Sequence, residues 1–523
     1  MNTIGFNNFR RFTDFPEIPL GDITILVGGN NAGKSTLVKA MLLMRDFLKS
    51  RIESVDKTNN IFKTFYRPQF SFDAEHTNVG DFYRAFCRQS SRKEDSISFT
   101  MKIDKFRFIV KISGERKPGI IPEVTMIAVS DENRHVNFTF DFAKNQMTAR
   151  FDYNDEAQNR DMVEEYPLAL QIEHLKSELS RSKDIDEISN LKLRLEQLEK
   201  EAYARTSDTR VAEYDSVTVD MSYFIGDNAG KLIIPELIRG FAQYAEVGIL
   251  GDRRSMIYKE QEANKSFLRG KASVIYSISE ELEMVLNKQM IEYIYAHSVY
   301  QDSIYAKCAN SSDYTKRTIH EFYTARISPG DKEFSFIEEW LREFGIGISF
   351  KVIPYKGDNY SFVIFDKDNP EITSISRKNY PGGIDLSDKG MGSIQLVILL
   401  LRLATLIRKY KGQMLTILLE EPEQNLHPAL QSKLTELLYR VNNDFGVKFV
   451  VETHSEYLIR KSQVIVAEAN KSLDFVKIPF KVYYLPSDGS TPYEMEYRTD
   501  GKFSNEFGTG FFDTASNLAF ELF

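Results

Sequence analysis

Eight residues near the start of the chain, Gly28-Gly29-Asn30-Asn31-Ala32-Gly33-Lys34-Ser35, fit the spacing G-x-x-x-x-G-K-[ST]. The spacing is a specification for holding phosphate. Glycines let successive backbone N–H groups face phosphate oxygens without a Cβ in the way. Lys34 sets a cation beside the β- and γ-phosphates, and the Ser35 hydroxyl is a ligand for Mg²⁺. A helix starting near Gly33 aims its positive end at the same charge. The candidate nucleotide set is therefore Gly28, Asn30, Asn31, Ala32, Gly33, Lys34, Ser35 and Thr36.

Two further places could complete such a site. Glu420 and Glu421 follow the apolar run Met414–Leu419, where an α/β sheet puts ligand-facing groups. The first can hold Mg²⁺ or its water, and the second can polarise an attacking water. His454 follows the run Lys448–Glu452, within Thr453-His454-Ser455. There it can touch a γ-phosphate, with Ser455 capping the helix that begins at Glu456.

These groups need elements to hold them. Ile23–Val27 is a short β-branched run and reads as a buried strand. Lys34–Lys49, rich in Ala, Leu and Met, reads as a helix. SISFTMKI and FRFIVKI, within residues 84–117, alternate apolar and polar positions and read as strands. FTFDF and MTARFDY, around residues 138–153, continue in the same style. From about residue 161 the spacing becomes helical. Leu168, Ile172, Leu175 and Leu179 form one amphipathic face, and Ile188, Leu191, Leu195 and Leu198 a second. They predict a helical hairpin or an offset coiled coil, an ordinary helix packed on its own domain being the equal alternative. KASVIYSISEELEMVLNKQMIEYIYAHS and FSFIEEWLREF extend the helical pattern, with 301–318 as a polar connection. IGISFKVIPY and YSFVIFD read as a hairpin across KGDN. The last 130 residues alternate helix and strand, which implies a parallel sheet.

The order of phosphate loop, long insertion, Gly-rich segment, ILLEEPEQNLHP and VVETHS resembles the ABC-type ATPase superfamily. Its nearest likeness there is the overcoming-lysogenization-defect, RecF-like and AAA15-type branch. GFNNFRRF, LSDKGMGSIQ, FIEEWLREFGIG and DGKFSNEFGTGFFD are similar to segments of that branch. The resemblance implies an α/β fold: a P-loop ATPase head with a mixed-sheet lobe, a parallel-sheet lobe and an inserted helical domain. The expected division is 1–160 and 346–523 for the head and 161–345 for the insertion. It implies ATP and Mg²⁺ as ligands, with Glu420 on the Mg²⁺ side, Glu421 as catalytic carboxylate and His454 as switch histidine. Lys389, Gly390, Gly392 and Ser393 would form a signature meeting ATP bound to a second copy. The strict L-S-G-G-Q pattern is absent, which leaves Ser387 without an assured contact. Gln69 is the expected glutamine of the metal side. Arg10 or Arg11 is expected near the nucleotide, a surface ion pair being the equal alternative. Leu250-Gly251-Asp252-Arg253-Arg254 is a further arginine segment of the same kind.

A formal net charge of −8 argues against a chain that coats nucleic acid globally. Two cysteines, Cys87 and Cys308, exclude a disulfide scaffold. MNTIGFNNFRRF has no apolar signal core, and Ile394–Ile407 is interrupted by Gln395 and Arg402, so a cytoplasmic protein without a membrane span is expected. After His454, 69 residues follow, too few for a Toprim nuclease, so no nuclease is expected on this chain. The resemblance extends to stand-alone ATPases of bacterial anti-phage systems such as Septu, PARIS and certain retrons. It implies an ATP-sandwiched homodimer or higher oligomer that controls a separate effector, a nuclease. A DNA-repair ATPase of RecF type is the alternative. Residues 84–117 hold ten Lys/Arg against four Asp/Glu, with Phe86, Phe99, Phe106 and Phe108 interleaved, which could track a phosphate backbone, the favoured reading being a solvated outer face of a sheet. A scaffold with a vestigial ATPase is the remaining reading, opposed by Glu421 and His454.

Overall fold

The structure is a computed structural model. It describes residues 1–50, 54–57, 64–66, 68–74, 77, 79–90, 95–152, 194, 214–221, 234–246, 256–295, 305–306, 314–355, 359–366, 383–471, 478–508 and 511–512. The chain opens with a hairpin of β1 (Thr3–Phe9) and β2 (Phe12–Pro19), then β3 (Ile23–Gly28) and α1 (Lys34–Lys49). A run of antiparallel strands follows: β4 (Ser96–Ile103), β5 (Phe106–Ser113), β6 (Glu123–Asp131), β7 (Val136–Asp141) and β8 (Gln146–Asp152). After β9 (Tyr214–Asp220) come α2 (Ile234–Glu246), the long α3 (Met256–Lys288) and β10 (Gln289–Ile294).

The second half begins with α4 (Tyr314–Thr324) and α5 (Lys332–Glu343), then the hairpin β11 (Ser349–Tyr355) and β12 (Asn359–Phe365). It continues through α6 (Met391–Lys409), β13 (Met414–Glu420), α7 (Pro428–Phe445), β14 (Lys448–Glu452) and α8 (Glu456–Lys471). It closes on β15 (Phe480–Leu485) and β16 (Tyr493–Met495).

Two sheets organise these elements. One is eight-stranded and antiparallel, in the order β9-β8-β7-β6-β5-β4-β1-β2. In β4 and β5 buried residues alternate with more exposed ones, as a sheet with one covered face requires. Helices α2 and α3 cover that face; Phe241 packs on Phe138, ring centroids 5.5 Å apart. The other sheet is six-stranded, β10-β13-β14-β3-β15-β16, parallel except for its last pair. Every residue of β3 is buried. Leu26, Leu418 and Val450 face the core shared with the antiparallel sheet. Ile25, Val27, Ile417, Leu419 and Val451 face a second core, beneath α4 to α8. Each such side chain contributes about 1.5–3 kcal/mol of burial, so the sheet is clamped from both faces. An α/β head with two sheet lobes is what the sequence led us to expect; the lobe expected to be a mixed sheet is antiparallel throughout.

Several expectations change. KQMIEYI was read as part of a helix, but the helix stops at Lys288 and Gln289–Ile294 is a parallel strand beside β13. Ile291, Tyr293 and Ile294 are β-branched or aromatic, and a six-residue segment this short cannot be assigned by periodicity alone. Residues 161–345 are therefore not a purely helical insertion: β9 extends the antiparallel sheet and β10 is an edge of the parallel one. The polar connection 301–318 gives way to α4 from Tyr314. Phe86, Phe99, Phe106 and Phe108 are buried in the core, and Lys102, Lys105, Arg107 and Arg116 are paired with acids. That strand face offers no aromatic platform for bases. Helix α6 is long and apolar enough to cross a membrane, but 72% of its apolar window is buried inside the protein. The expected helical hairpin around 168–198, Cys308 and the segment 250–254 lie outside the described residues.

Candidate functional site

The sheet registers bring the chemistry together. Glu420 pairs with Glu452 across β13 and β14, and Glu452 with Leu26 on β3, so these strands end side by side. Their C-terminal ends carry the phosphate loop, the paired carboxylates and the histidine turn, the edge at which open α/β sheets bind ligands. The loop is shaped for the purpose. Gly33, the N-cap of α1, has φ 103°, and a Cβ there would run into the Phe12 ring.

Lys34 is buried, and its ammonium points back along the loop. It donates to Gly28 O at 3.0 Å and Gly29 O at 3.2 Å, and it lies 2.9 Å from His454 Nε2. An ammonium has no lone pair, so His454 Nε2 is the acceptor and the imidazole is neutral. Burial lowers the Lys34 pKa, against the pull of Glu452, Glu421 and Glu423. Burial, then Lys34, lowers the His454 pKa, against Glu421. His454 Nε2 is also 3.5 Å from Glu421 Oε1. Lys34, His454 and Glu421 thus form one chain of contacts.

The turn after β13 is held tightly. Glu421 takes φ 42°, and its N–H donates to Glu452 O at 2.8 Å. Glu423 is buried; its Oε1 accepts from Thr453 Oγ1 at 2.6 Å and from the His454 N–H at 2.7 Å. Burial raises its pKa. The carboxylate turn is thereby latched to the histidine turn. Ser455 caps α8 as expected, its Oγ accepting from Leu458 N at 3.2 Å.

The metal side has oxygen donors. The Ser35 hydroxyl donates to Glu452 Oε1 at 2.7 Å, and Tyr293 of β10 donates to Glu420 Oε2. Burial, then the bond to Glu420, pushes the Tyr293 pKa up. Glu452 Oε2 is buried without a hydrogen-bond partner. Hard oxygens from Ser35 and Glu420 beside an unpartnered carboxylate oxygen fit Mg²⁺. Among the described residues no three His, Cys, Asp or Glu side chains gather into a metal cage. An ion that keeps positions for phosphate and water does not need one.

Gln69, expected on this side, makes its recorded contact elsewhere. Its backbone bridges to Glu123 at the start of β6, and among the described residues no contact links it to Lys34, Ser35 or Glu420. The strand beside the Glu420 strand is β10, and its Tyr293 occupies that flank. Arg11 donates to Ser487 O at 3.0 Å and lies over the Phe12 ring. The Arg10 pKa is lowered by burial and then by Arg84. Gly390 is the N-cap of α6. Gly392 sits against the loop after β13, where a Cβ would come within 2.8 Å of Asn425 O. Lys389 bonds Ile346 O at 2.9 Å and Asp366 at 3.1 Å in its own chain. Ser393 lies in the first turn of α6. Two open clefts lie away from this edge, one of about 810 Å³ beside Arg460 and Phe507, the other of about 1370 Å³ between α4, α5 and β11.

The profile of the AAA_15 family, an AAA ATPase domain, matches residues 1–459. The chain belongs to that ATPase family. The matched span contains Lys34, Ser35, Glu420, Glu421, Glu452 and His454, so the whole strand-end cluster lies inside the ATPase domain. No curated protein matches the chain. Among solved structures, it is similar to a Pyrococcus furiosus Smc head domain with an extended coiled coil, bound to the C-terminal domain of ScpA. That alignment has 11% identity over 100% of this chain and 98% of that one, with a TM-score of 0.33. An SmcHead bound to the C-winged helix domain of ScpA aligns at 10% identity over 95% and 97%, with a TM-score of 0.31.

The structure brings the expected Lys34, Ser35, Glu420, Glu421 and His454 to one edge, together with Glu452, Glu423 and Tyr293, which the sequence reading did not name. A signal existed for one: VVE, like LLE, is an apolar strand ending in an acid.

Proposed function

We propose that the chain binds ATP with Mg²⁺ at the ends of β3, β13 and β14 and hydrolyses it to ADP and phosphate. The observation that carries this reading is the contact chain Lys34–His454–Glu421, three groups far apart in sequence held within 3.5 Å of their neighbours. Lys34, free to exchange its carbonyl acceptors for phosphate oxygens, binds the β- and γ-phosphates. Glu421 accepts a proton from the attacking water. Once Lys34 turns to the phosphates, His454 Nε2 no longer accepts from the ammonium and can carry the imidazole proton, donating a hydrogen bond to the γ-phosphate. Mg²⁺, held by Ser35 and Glu420, would neutralise charge on the phosphates.

Gly390, Gly392 and Ser393 at the start of α6 are suited to cap ATP bound to a second copy, so the working unit is read as an ATP-sandwiched dimer. The resemblance to stand-alone anti-phage ATPases supports a sensor that holds or releases a separate effector, a nuclease. Glu421→Gln tests the chemistry: turnover should fall about 10²- to 10⁴-fold, with ATP-bound dimers accumulating in size-exclusion chromatography. Unchanged turnover would sink the assignment. Plaque protection by the chain together with its gene neighbour tests the defence role; none across a broad phage panel counts against it.

A further inference from the structure

Glu452 ends β14 with a side chain at the same strand ends as Glu420 and the phosphate loop, in a residue only 5% exposed. Its Oε1 takes the Ser35 hydroxyl proton at 2.7 Å, while its Oε2 is buried with no hydrogen-bond partner. Leaving a buried acceptor unsatisfied is costly, and more so when it is charged. Lys34 does not relieve it by hydrogen bonding, because the ammonium bonds Gly28 O, Gly29 O and His454. A group with no folding benefit at one of its two oxygens is a group shaped for something bound.

The geometry of a hydroxyl says what that is. Ser35 has one O–H to donate and two lone pairs to offer. With its proton committed to Glu452 Oε1, both lone pairs are left for a cation on the phosphate side. Without Glu452 the hydroxyl can turn its hydrogen toward that position and oppose the metal. We propose that Glu452 is a positioning residue for the divalent cation: it fixes the rotor of Ser35 so that Oγ faces the metal as an acceptor. This rests on the reading of the site as one for ATP with Mg²⁺ and assigns a role to a carboxylate that the motif spacing does not pick out. A group that holds a metal ligand from behind sets that ligand's orientation and strength.

The test is nucleotide binding by the full chain, followed with a fluorescent ATP analogue in EDTA and across a Mg²⁺ titration. In the wild type Mg²⁺ tightens binding. In Glu452→Ala the Mg²⁺ midpoint should rise about 10- to 100-fold, the usual cost of losing an outer-shell partner, while affinity in EDTA holds. Glu452→Gln keeps the volume and an oxygen that can accept from Ser35, so its midpoint should lie between wild type and Glu452→Ala. Ser35→Ala removes the group being oriented, so adding Glu452→Ala to it should move the midpoint little further. Full additivity of the two substitutions, or an unmoved midpoint in Glu452→Ala, overturns the proposal. If Glu452→Ala does not fold, Glu452→Gln carries the same two-background comparison. A wild-type chain that binds no nucleotide in EDTA or in Mg²⁺ instead removes the reading on which the proposal rests.

Discussion

Two clusters of charge, one on each sheet, obey different rules. At the β6–β7 turn of the antiparallel sheet, Asp131 is fully buried and accepts from Asn133 N, Arg134 N and Arg134 Nη1. Arg134 also reaches Glu281 on α3 at 2.6 Å, and Lys105 pairs with both acids. Every charge there has its opposite within reach, and the cluster pins α3 to the sheet. At the end of the parallel sheet, Lys34, Glu421, Glu423, Glu452 and His454 are crowded together without that closure. Glu423 and Glu452 each keep a buried carboxylate oxygen with no partner, and the ammonium is held by carbonyls and an imidazole. The first cluster is finished by folding, and the second is left open toward a ligand.

The largest consequence falls on Lys34. Lys34→Ala should weaken ATP binding by about 100-fold or more, close to 2.7 kcal/mol, measured by calorimetry. The melting temperature should hold or rise. Desolvation lowers the Lys34 pKa in the fold, so charging this ammonium works against folding at neutral pH. A loss of several degrees in melting temperature with ATP affinity intact would reverse the roles given to the two clusters.

Arg134→Ala should show the opposite pattern. It strips Asp131 and Glu281 of their main cation and leaves Asp131 buried with less compensation. We expect about 2 kcal/mol of lost stability, read by chemical denaturation, and ATP turnover per folded molecule close to wild type. A turnover loss larger than the stability loss would show that the α3 attachment is coupled to the strand-end site.

The same contrast explains what the sequence could reveal. β3, β13 and β14 were legible because strands buried on both faces read as continuous apolar runs, and Lys34, Glu421 and His454 stand at their ends in recognisable spacing. The strands of residues 96–113 were legible from alternation. β10 was not: Gln289–Ile294 continues the spacing of the 33-residue helix before it, and only pairing with β13 makes it a strand. Tyr293 was lost with it, since a tyrosine's hydroxyl partner 127 residues away leaves no local trace. Gln69 shows the converse limit: its backbone bridges to Glu123, and distance along the chain from α1 does not fix where a glutamine lands. The aromatic residues of 84–117 suggested a binding face because composition does not say which side of a strand is inside; register with β1 and β6 turns Phe99 and Phe108 inward.

The smallest effect is the pH dependence of the closed cluster. Arg134, then Lys105 and Ser277, hold the Glu281 carboxyl near a pKa of about 2, against 4.5 for an unperturbed glutamate. A folded-state pKa below the unfolded one means that the ionised form favours the fold. Its contribution is full above about pH 4.5 and disappears as pH falls toward 2. Glu281→Gln should therefore melt a little below wild type from pH 5 to 8, the gap being small because the pair is partly open to solvent. The gap should narrow steadily from pH 4.5 downward as wild-type Glu281 takes up its proton. A gap that widens in acid would mean that the carboxyl is raised, and the cluster would then be strained like the strand-end site. The narrowing should also be salt-sensitive, since added ions screen an exposed ion pair, whereas the buried strand-end contacts should respond far less.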